Sequence, residues 1–235
     1  MFLREQDLSE DGHRALAHRF GSPSVFPVSK YLGATEYLGH IQDSADSPPD
    51  ADGWHTDITW IPQPPKIAIL YALQIPEYGG DTLWADLYGA YDRLSEPMKQ
   101  LVGGLRVRHT PGDGFWRAVG RAMSEEQIAE VRAAFPPAEH PLVRMHPDTG
   151  KRALFVAGGF MESIVGMHAD ESSGLLDWLR ARIEDPNLQV RWHWSEGDVA
   201  IWDERCTNHR ALSDHYPQPR HMRRCTIDGE TPIAG

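Results

Sequence analysis

Cysteine is nearly absent from the sequence. Only Cys206 and Cys225 occur among 235 residues, so no disulfide framework can organise the fold. The chain also lacks any run near the roughly 18–20 apolar residues that cross a bilayer, which excludes a helical membrane protein. Its start, Met1-Phe2-Leu3-Arg4-Glu5-Gln6, has no basic stretch followed by an apolar core and a small-residue cleavage site. A cytoplasmic protein with two reduced thiols is therefore expected. Positive charge is scarce as well. Lys and Arg number 23 against 34 Asp and Glu, a formal charge of −11. Such a surface repels a phosphate backbone, so neither nucleic acid nor a membrane is an expected partner. Internal repeats and low-complexity tracts are missing too.

What remains is an ordinary soluble composition, 40% hydrophobic, in a length that suits one domain spanning 1–235. Ser9 reads as the N-cap of a helix that Gly21 stops. Residues 22–53 are rich in Pro, Gly, Ser and Asp. An apolar run from Ile67 to Leu73 predicts a buried strand, and Asp81 to Ala85 a second one after the Gly79-Gly80 turn. Helical patterns recur at 88–103, 124–135 and 170–184, the last with Leu175, Leu176, Trp178, Leu179 and Ile183 on one broad face. Strand-like stretches come next, at 142–146, 152–156, 189–194, 198–203 and 222–227. Short strands with turns between them and a few helices predict a β-sandwich or jelly-roll core with helical insertions.

Two candidate ligands stand together in His55-Thr56-Asp57. At i and i+2 on an extended strand, both side chains leave the same face and can reach one ion. Two imidazoles and one carboxylate make the facial triad of non-haem iron oxygenases, which leaves coordination positions open. Taken alone, His-x-Asp also suits a pair of polar surface groups. Twelve histidines offer a third ligand, among them His109, His140, His146, His193, His209, His215 and His221. His209 is distinguished by two arginines downstream of it, Arg220 eleven residues on and Arg224 four further. On a strand those two arginines share a face while Arg223 points the other way. A chelating keto acid with a distal carboxylate needs a cation, and the planar fork of arginine pairs with carboxylate bidentately. A solvated basic strand end is the competing reading of these arginines.

Together the features resemble the taurine dioxygenase (TauD/TfdA-like) family of Fe(II)/2-oxoglutarate-dependent dioxygenases. The resemblance is carried by Trp54-His55-Thr56-Asp57, Gly79-Gly80-Asp81-Thr82-Leu83-Trp84, Leu154-Phe155-Val156, residues 200–205 leading to His209, and residues 220–227. It covers nearly the whole chain. It implies an all-β core with helices, a cupin-like double-stranded β-helix (jelly roll) with helical insertions. It implies Fe(II) held by His55, Asp57 and His209, with 2-oxoglutarate and O₂ as co-substrates. It implies that Thr82 and Arg220 bind the distal carboxylate of 2-oxoglutarate, and that Arg224 meets an anionic substrate group. An aliphatic C–H would be hydroxylated, with succinate and CO₂ as products. Asp57 argues against halogenation, since related halogenases have a small residue there. Homodimers or homotetramers are implied as the assembly.

Polar positions that contact taurine in that family are replaced here by Phe26, Ser29 and Ala51, while Phe115 and Phe160 match aromatic pocket positions. A small zwitterion would lose hydrogen bonds in such a pocket, at roughly 1–3 kcal/mol for each group left unpaired. An alkyl sulfate, sulfonate or aryloxyalkanoate fits better than taurine. The three phenylalanines could equally be core residues. Several dozen residues that relatives carry before Phe2 have no counterpart, which would expose a sheet edge. The competing functions are a cupin-like metal-binding protein of another class and a catalytically inactive homologue.

Overall fold

The structure, a computed structural model, describes residues 1–32, 36–49, 52–119 and 123–235. Two antiparallel sheets face each other. The larger runs Phe2–Leu3, Val199–Asp203, Ile67–Gln74 and Arg220–Ile227, with Pro23–Ser24 and Gly39–Asp43 both paired to the far side of Arg220–Ile227. The smaller runs Gln189–Trp192, Thr82–Asp86 and Thr207–Ala211. This is the jelly roll that the short-strand pattern and the family resemblance predict.

The apolar run at 67–73 is continuous because both faces of its strand are covered. Ala68, Leu70 and Ala72 point between the sheets, where they pack with Trp84, Trp194, Ala200, Trp202 and Met222. Ile69 and Tyr71 point outward and are covered by the helix Glu10–His18, together with Val199, Ile201, Cys225 and Ile227. Ser9 caps that helix by accepting from the Gly12 amide (3.1 Å). The helix ends at Arg19, two residues before Gly21, whose φ of 139° suits only glycine. The thiols of Cys206 and Cys225 are both free.

The region between the two sheet strands Thr82–Asp86 and Gln189–Trp192 supplies the insertions. Its helices Leu87–Asp92, Glu96–Gly103 and Ala169–Ile183 pack on a second core around Leu142, Leu154, Leu176 and Leu179. The helical pattern at 88–103 is two helices, because the Ser95-Glu96-Pro97 segment starts a new N-terminus with Pro in the first turn. Trp178 is 39% exposed instead of joining the buried face. The Arg182 guanidinium lies over its ring at 4.7 Å, so cation–π contact holds it at the surface. No helix among the described residues is long and apolar enough to cross a membrane.

Candidate metal and co-substrate site

Residues 52–60 are not a strand, contrary to the simplest reading of His-x-Asp. His55 makes a single bridge to His209, exchanging both backbone hydrogen bonds (2.9 and 2.8 Å). The chain then turns, with Ile58 at a φ of 53°, an uncommon conformation for a β-branched residue. This turn, not strand parity, brings Asp57 beside His55. It is held from below: His140 Nε2 donates to the carbonyls of Thr59 (2.8 Å) and Ile61 (3.1 Å), and His109 Nδ1 bonds Thr59 Oγ1 (2.9 Å). Burial keeps both histidines below their ordinary pKa, so they serve as neutral struts.

His209 comes from the strand Thr207–Ala211, paired directly opposite Trp84. Its neighbour Arg210 grips Asp52 (Nε 2.8 Å, Nη2 2.7 Å), which ties the segment before His55 to the same strand. The ligand atoms of His55, Asp57 and His209 all lie within 4.8 Å of one another. Asp57 Oδ1 is 3.6 Å from His55 Nε2 and 3.9 Å from His209 Nε2. Ligands about 2.1 Å from an ion sit about 3 Å apart at right angles, and the two Asp57-to-histidine separations exceed that by less than about 1 Å. His55 Nδ1 donates to the Gly53 carbonyl (2.7 Å), which leaves its Nε2 lone pair facing the other two ligands. Burial and the neighbouring His55 push His209 down to about 3, so it is neutral, the form that coordinates. The donor set of two imidazoles and a carboxylate fits a divalent first-row ion such as Fe(II).

A second group, His146, Asp203 and Cys206, also lies within ligating distance. Its atoms are already engaged. His146 Nε2 donates to Asp203 (3.0 Å), and the Arg205 guanidinium holds both oxygens of the same carboxylate (2.9 and 2.7 Å). Burial and the Asp203 charge push the Cys206 thiol up to about 11. This is a structural ion-pair cluster.

Two cavities meet at the triad. The first, about 240 Å³, is lined by His55, His209, Leu70, Trp202, Thr82, Arg220 and Arg224. Arg220 and Arg224 do share a face, and Arg223 points away to donate to His13 Nδ1 (3.1 Å), as period two predicts. Thr82 Oγ1 accepts from Trp194 Nε1 (2.9 Å), so its own proton is free for a cavity ligand. Arg220 is 3% exposed. Its Nε donates to the Gly80 carbonyl (3.1 Å), and its Nη2 is buried without a partner.

The second cavity, about 530 Å³, is lined by Phe26, Phe115, Phe160, Trp54, Ile58, Trp60, His55, Asp57 and Arg224. The three phenylalanines are therefore both cavity wall and edge of a hydrophobic cluster around Val28, Ile58 and Trp60. Ser29 begins a short 3₁₀ turn and lines neither cavity. Ala51 lies outside the described residues. Arg224 is the surprise. It borders both cavities, yet its Nη1 bonds Asp57 Oδ1 (3.2 Å) and Oδ2 (3.0 Å). Burial raises the Asp57 pKa, but Arg224 together with the His209 and His55 rings more than offsets it and holds the carboxyl below its ordinary range.

Glu204 lies in a stretch that carries the family resemblance, but the sequence assigns it no role. It is fully buried (0% exposed) beneath the triad. It accepts from Trp202 Nε1 (2.7 Å) and from the Asp57 amide (3.1 Å). Burial and the nearby Asp57 charge push its pKa well up. The only signal was its place beside Trp202 and Asp203 in a motif-bearing stretch.

The arrangement is that of an Fe(II)- and 2-oxoglutarate-dependent dioxygenase, and known proteins agree. An alkylsulfatase of Acinetobacter baylyi is 36% identical over 97% of this chain and 72% of its own. An alpha-ketoglutarate-dependent sulfate ester dioxygenase of Pseudomonas putida is 34% identical over 99% of this chain and 78% of its own. The crystal structure of a taurine dioxygenase from Burkholderia xenovorans superposes with a TM-score of 0.80 at 36% identity, covering 99% of this chain and 78% of that one. The chain belongs to the taurine catabolism dioxygenase TauD, TfdA family, whose model matches residues 1–226.

Proposed function

We propose that the chain hydroxylates the carbon beside the heteroatom of a partly apolar anion, an alkyl sulfate, alkyl sulfonate or aryloxyalkanoate. One observation carries this reading: a cavity with Thr82 and Arg220 and a separate aromatic cavity converge on His55 and Arg224. His55, Asp57 and His209 would hold Fe(II). With 2-oxoglutarate and O₂, the iron supplies the oxidising power to insert one oxygen atom into a C–H bond while succinate and CO₂ are released.

The residues do the rest. Arg220 and Thr82 direct a charged nitrogen and a hydroxyl proton at the distal carboxylate of 2-oxoglutarate. Arg224 meets the anionic head of the substrate at the junction of the cavities. Phe26, Phe115 and Phe160 exclude water and bind the apolar tail, which leaves the carbon next to the head nearest the triad. Hydroxylation of R–CH₂–O–SO₃⁻ gives R–CH(OH)–O–SO₃⁻, which collapses to an aldehyde and hydrogen sulfate. The similarity to an alkylsulfatase and a sulfate ester dioxygenase supports this substrate class. The residues 1–235 would act as one domain, in the cytoplasm, as a homodimer or homotetramer, without nucleic-acid or membrane partners. A cupin-like protein of another metal chemistry, or an inactive homologue, is disfavoured because it gives Thr82 and Arg220 no reason to share the cavity of His55 and His209.

The test is an anaerobic titration with Fe(II) and 2-oxoglutarate, following the visible charge-transfer band of the chelate, with H209A as control. A band in wild type that vanishes in H209A is expected. Succinate release with alkyl sulfates above that with taurine should accompany it. No band from folded, iron-loaded protein would sink the reading.

A further inference from the structure

Glu204 has no lysine or arginine within ion-pair distance among the described residues, although its carboxylate is buried. Three N–H groups converge on it instead. Trp202 Nε1 is 2.7 Å from Oε1 and the Asp57 amide is 3.1 Å from Oε2. His209 Nδ1 is 3.8 Å from Oε1 and is itself buried without a hydrogen-bond partner. The two histidines of the triad thus differ: His55 Nδ1 already donates to the Gly53 carbonyl at 2.7 Å.

A histidine that coordinates through Nε2 carries its proton on Nδ1, and metal-bound histidines almost always donate that proton onward. Within the described site, Glu204 Oε1 stands nearest to receive it. We propose that Glu204 is the outer carboxylate of the metal centre, accepting from His209 Nδ1 when an ion is bound while its other oxygen fixes the peptide of Asp57. This rests on the reading of His55, Asp57 and His209 as the ligands. Glu204 is a positioning residue, acting on two ligands at once and touching neither substrate nor ion. The chemistry of the position demands an acceptor. Three converging N–H groups call for the ionised form, which offers only lone pairs, whereas glutamine would turn an NH₂ toward one of them. A carboxylate acceptor also raises the basicity of its imidazole, making His209 a stronger ligand than carbonyl-bonded His55. Trp202 forms a wall of the co-substrate cavity and its ring lies 5.0 Å from that of His209. Through Glu204, that wall and the ion site are therefore joined by hydrogen bonds.

The experiment uses the full chain and Co(II), whose bound histidines give hyperfine-shifted, exchangeable N–H signals. Wild type should show two protected imidazole N–H signals, one from each histidine. E204Q should bind Co(II) about 10- to 100-fold more weakly, with the His209 signal displaced or lost to exchange and the His55 signal kept. Equal Co(II) affinity with both signals unmoved would overturn the proposal and leave the ligand reading intact. If E204Q does not fold, wild type decides alone: a His209 N–H that exchanges freely overturns the proposal, and a protected one supports it. Wild type that takes up no Co(II), or H209A that binds it equally well, would remove the ligand reading itself and Glu204's role with it.

Discussion

Arg224 Nη1 pairs with both carboxylate oxygens of Asp57, at 3.2 and 3.0 Å, so the guanidinium occupies the electrostatic role that a metal ion would take over. Asp57 is buried and Arg224 has a quarter of its side chain exposed. Breaking the pair by R224Q should cost less than the roughly 3–5 kcal/mol of a fully buried pair. Metal then has more to offer the variant than the wild type, because it relieves an unpaired carboxylate. Thermal melts with and without Co(II) should show a lower melting temperature for metal-free R224Q and a larger upward shift on metal addition. An unchanged metal-free melting temperature would mean the pair contributes nothing.

Trp194 donates to Thr82 Oγ1, which leaves the threonine one proton to give, while Arg220 Nη2 lies buried and unpaired. Both point to an anionic ligand in the smaller cavity. T82V should weaken 2-oxoglutarate binding about 5-fold, the worth of one ordinary hydrogen bond at about 1 kcal/mol. R220Q removes a buried charge and should weaken it at least about 30-fold (~2 kcal/mol or more). Anaerobic 2-oxoglutarate titrations of the iron-loaded variants check both. Equal affinities in all three proteins would place 2-oxoglutarate elsewhere.

How much of this was legible beforehand differs by element. The run 67–73 and the arginine parity at 220–224 could be read because burial and period two leave direct marks on residue type. The pairing of His55 with Asp57 was right in outcome but not in cause, since a turn through Ile58 (φ 53°) does the work expected of a strand. The strand Thr207–Ala211 was invisible: Thr-Asn-His-Arg-Ala has no apolar alternation, and its pairing to Thr82–Asp86 makes it a strand. Glu204 was missed for the same kind of reason. A glutamate reads as surface unless its tertiary surroundings are known, and the contact that places Glu204 under the triad, with the Asp57 amide, comes from a segment 147 residues away.

Phe115 packs against Trp60 (5.4 Å between ring centroids) and lines the larger cavity. F115A should lengthen the space for an apolar tail, and each additional methylene buried there is worth about 0.8 kcal/mol. The preferred chain length among linear alkyl sulfates should therefore move upward, read as kcat/KM across the series from succinate release. A series that loses rate uniformly, with no change of preferred length, would identify Phe115 as core only.

Gly158 has a φ of 58°, and a Cβ built on it would lie 1.7 Å from the Trp54 carbonyl oxygen. No side chain can yield there, because both partners are backbone and His55 is the next residue. G158A should lower the melting temperature, and Co(II) affinity should fall with it, since the segment carrying His55 must retreat. A folded G158A with wild-type Co(II) affinity would show that His55 tolerates the displacement.

Acid should destabilise the fold through its buried neutral histidines. His13 is 0% exposed and accepts at Nδ1 from Arg223 Nε (3.1 Å). Burial first, and then the Arg223 charge, lower it to about 4 from an unfolded value of 6.5. Above pH 6.5 neither state is protonated and the full stability is present. Between pH 6.5 and about 4 the unfolded chain takes up a proton that the folded chain refuses, so stability falls as pH falls, by up to about 1.4 kcal/mol per unit for this site. His109, His140 and His209 are depressed as well and add to the slope. Urea unfolding at pH 7.5, 6.5 and 5.5 should give steeply declining stabilities. H13Q, which cannot protonate, should be less stable at pH 7.5 yet lose less on going to pH 5.5. Parallel declines in the two proteins would mean that His13 takes up its proton in the folded state.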